Sequence, residues 1–261
     1  MSIKTILITS IYNEEYLLPF WLHHHKNMFD EMVVIDYNST DKSLEICKSI
    51  CPHCTIITTR NKYYDAEEVD KEYMDIEDSF EGIKIVLNTT EFLFCETNVR
   101  DLFINDIEPV PYAIHVATPY SKNNYDINSY NDLFNNLFND DVVYHFDRGL
   151  RFIHNYSNGN YRIGRHLTNY NYIYTNKAHI IWFGYYPMND HLMKRKLQIK
   201  NNIPQSDRDK GFGVQHFYDK ETILYMNDKK SSSGISLQQL NPSLYNILQS
   251  NYKFDKSTDQ S

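Results

Sequence analysis

Glycine is scarce in this chain, and it comes late. The 261 residues hold eight glycines, the first of them Gly82. Phosphate loops of the dinucleotide-binding and P-loop kinds need glycines in the turn after a strand, where backbone approaches phosphate. The stretch before Gly82 excludes both, so a nucleotide bound there is held mainly by side chains. Long apolar runs are missing too. No stretch approaches the roughly eighteen apolar residues of a membrane span, and none is expected. Positive charge is in deficit, with 26 basic against 34 acidic side chains and a formal charge of −8. A nucleic-acid surface announces itself by a basic stripe, so no nucleic-acid partner is expected. A polyanionic ligand would need a local counter-charge, from a metal or from clustered Arg and Lys. No secretion signal is read, because a strand begins within a few residues of Met1. The expected location is cytoplasmic, and the sequons at Asn38, Asn88 and Asn155 are read as coincidental.

Only four cysteines occur. Cys47, Cys51 and Cys54 carry the C-x3-C-x2-C spacing of radical-SAM clusters, and Cys51-Pro52-His53-Cys54 looks like a thiol oxidase motif. Either chemistry needs a loop after the first strand or a helix N-terminus, where thiolates are stabilised. Here Cys47 falls inside an expected helix, and Cys51–Cys54 follow its end, so ordinary packing is expected. His23-His24-His25 cannot converge on one ion, because consecutive helical positions point about 100° apart. One of the three should pack inward.

What is present is a repeated grammar of strand, polar turn and helix. Thr5-Ile6-Leu7-Ile8 runs into Tyr12-Asn13-Glu14-Glu15, followed by Leu17, Leu18, Trp21, Leu22, His25, Met28 and Phe29 at helical spacing. Met32-Val33-Val34-Ile35 ends in Asp36, and Ser39-Thr40-Asp41 opens a helix expected to reach residue 50. A third strand is expected at 55–58, a charged surface helix or ordered loop at 64–80, and a fourth strand at 83–87, ending before Asn88-Thr89-Thr90-Glu91. Such alternation predicts an α/β protein with a mostly parallel sheet. Its ligands sit outside the carboxyl ends of the strands. Further on, strands are expected over 112–118, near 142–146, 150–154, 171–175 and 178–183, and a helix over 188–201. The basic run Lys194-Arg195-Lys196 in that helix reads as a solvated face. The organisation expected is one domain over 1–240, divided at about residue 95, with a polar tail over 241–261.

The strand-end residues, taken as an ordered set, resemble family 2-like glycosyltransferases of the GT-A fold. The set comprises Tyr12-Asn13-Glu14, Leu18-Pro19-Phe20-Trp21-Leu22-x-His24-His25, Asp36-x-x-Ser39-Thr40-Asp41 and Asn88-x-Thr90-Glu91-Phe92-Leu93. It covers about the first 95 residues, and Ile203–His216 resembles a downstream block of such proteins. The resemblance implies a GT-A (Rossmann-like), mostly parallel central sheet flanked by helices. Residues 1–95 would be the nucleotide-binding half and 96–240 the acceptor half. It also implies transfer of a sugar from a nucleotide-diphospho-sugar, most often a UDP-sugar, to a glycan or protein acceptor in glycan biosynthesis. Tyr12, Asn13, Glu14 and Asp36 would then hold base and ribose, Arg60 would lie beside the base or phosphates, and Asn88 and Thr90 would face the ribose and diphosphate. A divalent cation, Mn²⁺ or Mg²⁺, would bridge the diphosphate through hard oxygen ligands.

At that point the chain departs from the family. The expected Asp-x-Asp-Glu reads Asn88-Thr89-Thr90-Glu91, with one carboxylate left of three. Three outcomes stay open. Glu91 holds a weakly bound ion with His216, or Arg60, Arg165 or His166 stabilises the diphosphate without metal, or the protein is a catalytically silent binder of sugar nucleotide or glycan. For transfer, Asp207 and Asp190 are the candidate acceptor bases.

Overall fold

The computed structural model describes residues 3–103 and 110–252. Strand β1 (Thr5–Ile11) is central, with β2 (Glu31–Asp36) parallel on one side and β4 (Ile83–Val86) parallel on the other. β3 (Thr55–Thr58) extends the sheet beyond β2. Past β4 the sheet turns mixed. The later strand β9 (Arg151–His154) runs antiparallel to β4 and to β6 (Tyr112–Ile114), and β10 (Ile173–Tyr174) closes the far edge. The order of the seven strands is β10-β6-β9-β4-β1-β2-β3.

All seven residues of β1 are buried, as a strand covered on both faces requires. Alternate side chains go to opposite faces. Leu7, Val34 and Ile85 pack toward the helices α1 (Leu18–His25) and α2 (Ser43–Ile50), while Ile6, Ile8, Val33 and Ile35 meet Val69 and Tyr73 of α3 (Ala66–Glu77). Asp65 caps α3 by accepting the amides of Glu67 and Glu68, an N-terminal arrangement that polar caps favour. The charged segment is thus a helix, but not a surface one, since Asp70, Glu72, Tyr73 and Glu77 are buried.

A second sheet, ordered β5-β11-β7-β8, packs against the α1 side: β5 (Glu91–Cys95), β7 (Val116–Tyr120), β8 (Val143–His145) and β11 (Ala178–Trp182). The single strand expected over 112–118 is two strands in different sheets, divided at His115. β5, which begins at Glu91, was not expected as a strand. Helices α4 (Tyr130–Asn135), α5 (Asp190–Gln198), α6 (Gln205–Lys210), α7 (Lys220–Ser231), α8 (Leu237–Leu240) and α9 (Pro242–Asn251) complete the fold. The expected polar tail is corrected in its first part, because α9 buries Leu244 and Leu248 in the main core. Residues 253–261 lie outside the described residues. No helix among the described residues is long and apolar enough to cross a membrane.

His25 is the histidine that packs inward. Its Nδ1 meets the Trp21 carbonyl and its Nε2 accepts the Leu93 amide. Cys51 and Cys54 form a disulfide, which corrects the expectation of ordinary packing for those two, while Cys47 is a buried free thiol.

Trp21 joins the two sheets: it is fully buried, and its Nε1 donates to the Glu91 carbonyl at 2.9 Å. Trp21→Ala removes the largest side chain of this contact and should cost ~3–5 kcal/mol. Urea unfolding of the two proteins measures the difference, and a loss below about 1 kcal/mol would show that the contact is not needed.

Candidate functional site

The chain leaves β1 for β2 on one side and reaches β4 on the other, so the crevice beyond the carboxyl ends of β1 and β4 is the topological switch point. A cavity of about 420 Å³ lies there, within the range of small-molecule sites. Ser10, Tyr12 and Glu14 line it from β1 and the following turn, and Asn88, Thr89 and Thr90 from the turn after β4. The opposite wall comes from the C-terminal half, through Arg165, His166, Arg195, Lys196, Asp207 and His216. A second slot of about 190 Å³ shares Tyr12 and Tyr64 with the cavity and adds Tyr37, Asn38, Asn61 and Asn202.

The first two strand-end motifs are tied to each other. Asn13, at φ 54°, turns its Oδ1 to the amides of Thr40 and Asp41, while its own amide donates to Ser39 Oγ. Asn tolerates this left-handed conformation better than most residues. Glu14 N donates to Ser43 Oγ and Glu15 N to Asp41 Oδ2. Asp36 accepts the Ser39 amide at 3.0 Å and lines neither cavity nor slot. Asp36 and Asn13 thus hold the loops, and neither lines the cavity or the slot. Arg60, expected beside the base or phosphates, is exposed, ion-paired with Asp75, and outside both openings. Asp190 is fully exposed on the first turn of α5, 3.9 Å from Lys220, away from the cavity.

The turn after β4 is fully engaged. Glu91 has no exposed surface, and its two oxygens receive Arg148 Nε at 3.0 Å, Arg151 Nε at 2.9 Å and Arg151 Nη2 at 2.6 Å. The Asn88 amide also donates to Glu91. Asn88 Oδ1 accepts Arg165 Nη2 at 3.0 Å, and Thr90 Oγ1 accepts Trp182 Nε1 at 3.0 Å. A divalent ion needs several oxygen ligands free to converge on it. Here Asn88 Oδ1, Thr90 Oγ1 and both Glu91 oxygens already accept protons from cationic or indole groups, so this donor set does not fit the ion that the resemblance implies. Among the described residues no group of three or more His, Cys, Asp or Glu side chains could hold a metal. The expected Glu91–His216 ligand pair is corrected on that ground, although His216 does line the cavity.

Cations take the place of that ligand set. Arg165, held in the left-handed region at φ 57°, is ion-paired with Asp70 and lies 4.2 Å from the Tyr73 ring centre. Arg195 makes a bidentate pair with Glu14, and Arg148 stacks 3.9 Å over Trp182. Lys196 sits 3.5 Å over the Tyr185 ring and has no carboxylate partner among the described residues. Burial, with Arg195 and Arg148 nearby, pushes it down to about 7. Burial pushes His166 down to about 3 and His216 to about 4, so both are neutral at pH 7. Asp207 is 2% exposed: one oxygen accepts the Ala66 amide at 2.8 Å, and Oδ1 has no hydrogen-bond partner. Burial raises its pKa.

The structure thus brings together Tyr12, Glu14, Asn88, Thr90, Arg165, His166, Asp207 and His216, and leaves out Asn13, Asp36, Arg60 and Asp190. Sequence reasoning missed Arg148, Arg151, Arg195, Lys196 and Trp182. Lys194-Arg195-Lys196 was visible but read as a solvated face; only Lys194 is so. Arg148 and Arg151 carried no signal, because the carboxylate that fixes them lies some sixty residues earlier.

Fold and cavity define an α/β protein with a cation-lined ligand cleft at the carboxyl edge of its central sheet. No protein-family model and no curated protein sequence matches the chain. Among solved structures it is similar to S. aureus TarS 1–349, at a TM-score of 0.37 and 18% identity over 48% of this chain and 38% of that one. The same protein has been crystallised with UDP, again at 0.37 and 18%, with the same shares covered. A third similarity is to glucosyl-3-phosphoglycerate synthase from Mycobacterium tuberculosis in complex with Mn²⁺, UDP and glucosyl-3-phosphoglycerate. There the TM-score is 0.32 and the identity 13%, over 44% of each chain. The chain spans less than half the length of these proteins.

Glu91 is pushed down to about 2, burial opposing the change and Arg151 and Arg148 driving it. A carboxylate lowered on folding contributes stability that is complete above its unfolded pKa. That contribution should be lost as pH falls from about 4.5 to about 2. Glu91→Gln strips two buried guanidiniums of their counter-charge at every pH and should cost ~3–5 kcal/mol. Urea unfolding at neutral pH reads the loss, and in the variant the acid-side decline should be shallower than in the parent.

Proposed function

We propose that the chain is a glycosyltransferase that moves a sugar from a nucleotide-diphospho-sugar, with a UDP-sugar as the first choice, to a glycan or protein acceptor. The observation that carries this reading is the pairing of an aromatic, amide-lined slot with a cation-lined cavity across Tyr12 and Tyr64, at the switch point of the sheet. Such a shape suits a flat heterocycle joined to a diphosphate. Tyr12, Tyr37 and Tyr64 offer faces for stacking, and the carboxamides of Asn38, Asn61 and Asn202 offer both donors and acceptors to a base edge. The diphosphate lies toward Arg148, Arg165 and Lys196, which orient it and take up the charge that develops as the glycosidic bond to it breaks. The ordered strand-end set supports the same reading from the sequence.

Asp207 is the base we assign for the acceptor hydroxyl. It lines the cavity, its Oδ1 has no competing donor, and its raised pKa strengthens it as a proton acceptor. The altered Asn88–Glu91 turn favours a second reading, a donor-binding protein that transfers nothing.

Calorimetric titration with UDP tests the first step: heat of binding is expected, and its absence overturns the proposal. Release of UDP from a UDP-sugar, even slowly to water, separates the transferase from the silent binder. Asp207→Asn keeps an acceptor for the Ala66 amide while removing the base. It should lower turnover by ~10²–10⁴ with UDP affinity unchanged; unchanged turnover removes Asp207 from the chemistry.

Binding of an anion beside Lys196 raises that group's pKa above its free value of about 7. Affinity for UDP should therefore be full below about pH 7 and fall as pH rises beyond it. The phosphate's own second ionisation, near pH ~6, acts in the opposite sense and is nearly complete by about pH 7.5. Titrations from about pH 7.5 to about pH 9 isolate the lysine; an affinity flat across that range would place Lys196 off the phosphates.

A further inference from the structure

The turn after β4, where the resemblance leads one to look for a divalent ion, is built around guanidiniums. Arg148 and Arg151 close on the two oxygens of Glu91. Arg165 takes Asn88 Oδ1 and Trp182 takes Thr90 Oγ1. Trp182 is also the platform that gathers charge at this corner: Arg148 lies 3.9 Å from its ring centre and Lys196 lies 5.8 Å from it, both lining the cavity. Glu91 is the one carboxylate paired with Arg148 and Arg151, and Lys196 has none among the described residues. With Lys196 protonated, as an anion bound beside it favours, three cationic side chains against one carboxylate leave an excess of two positive charges, which matches the charge of a diphosphate bridge.

We propose that this corner, Arg148 and Lys196 over Trp182 with Arg151 behind them, is a metal-independent diphosphate clamp that does the work of a divalent ion. The inference deepens the glycosyltransferase reading and rests on it for the identity of the full ligand, though not for the diphosphate. Arginine suits the task because its guanidinium is always charged and presents fixed donors to phosphate oxygens. Arg148 is held by Glu91 on one edge and Trp182 on its face, so it is ordered before the ligand arrives. Lys196, 5.8 Å from the same ring centre, supplies a compact second charge. Glu91 is a positioning residue here, since it acts through the arginines and does not touch the ligand.

The test is calorimetry on the full chain with two probes, UDP and inorganic pyrophosphate, each in EDTA and in Mn²⁺. Both probes should bind in EDTA, with Mn²⁺ changing either affinity by less than about threefold. Lys196→Met leaves the Glu91 ion pairs intact, and with thermal unfolding unchanged it should weaken both probes by about tenfold or more. Arg148→Lys keeps one charge against Glu91 but loses the fork, and should weaken both probes in EDTA by a similar factor. Affinity gained about tenfold or more on adding Mn²⁺, or lost by neither variant, overturns the clamp. Pyrophosphate that binds in EDTA in a Lys196-dependent way, with UDP no tighter, keeps the clamp and sinks the nucleotide reading. Binding of neither probe in EDTA sinks the clamp, and if UDP also fails in Mn²⁺, it sinks both.

Discussion

The architecture of the cleft depends on one buried ionic contact. Glu91 lies at the start of β5 with no exposed surface, and Arg151 begins β9, the antiparallel strand beside β4. Removing three charges from water costs several kcal/mol per ion, repaid only when the geometry is close and every lone pair is used. Both conditions are met: four guanidinium contacts and a backbone amide fill the carboxylate. The contact joins the two sheets at the point where the cavity opens. It also fixes which face of Arg148 is left for a ligand, since the other side lies on Trp182. Trp21, which takes the Glu91 carbonyl, and Arg151, which reaches His166 Nδ1 at 2.8 Å, carry the constraint outward.

A second principle follows from the N-terminal loops. Residues that look like ligand contacts in a linear reading are used to hold ligand-bearing backbone in place. Side chains of Asn13, Ser39, Asp41 and Ser43 accept the amides of residues 13–15, 40 and 41 across the ends of β1 and β2. Asp36 closes its own turn on Ser39. Their conformation requires those side chains, since no glycine is available there and polar backbone near a buried strand end must find partners. The consequence for the cleft is that Tyr12 and Glu14, their neighbours, are presented from a rigid edge. Glu14 then anchors Arg195, and the helix carrying Arg195 brings Lys196 into the cavity.

How much of this was legible in the sequence differs by element. β1, β2, β3 and β4 were readable because short β-branched runs end at polar turns, and the resulting sheet places the cleft without further information. α3 was readable as a helix but not as a buried one, because Tyr73 and Val69 are diluted among acidic residues, and the partners of Asp70 and Glu77, Arg165 and His154, come from distant chain. α9 was hidden by its polar flanks, Leu244 and Leu248 being its only fully buried residues. Arg148 and Arg151 could not have been chosen from among the 26 basic residues by any local pattern.

The sequence by itself determined an α/β sheet with its ligand edge at the carboxyl ends of β1, β2 and β4, and it determined that glycine-poor turns there must work through side chains. Those properties follow from local periodicity and from backbone sterics, which act over a few residues. Only the tertiary structure decided which charged groups face the cleft. Pairing of Glu91 with Arg148 and Arg151, of Asp70 with Arg165, and of Glu14 with Arg195 spans distances of 57 to 181 residues. An ionisable side chain becomes scaffold or site according to what the fold places within about 3 Å of it, and that placement is written in no single segment of the chain.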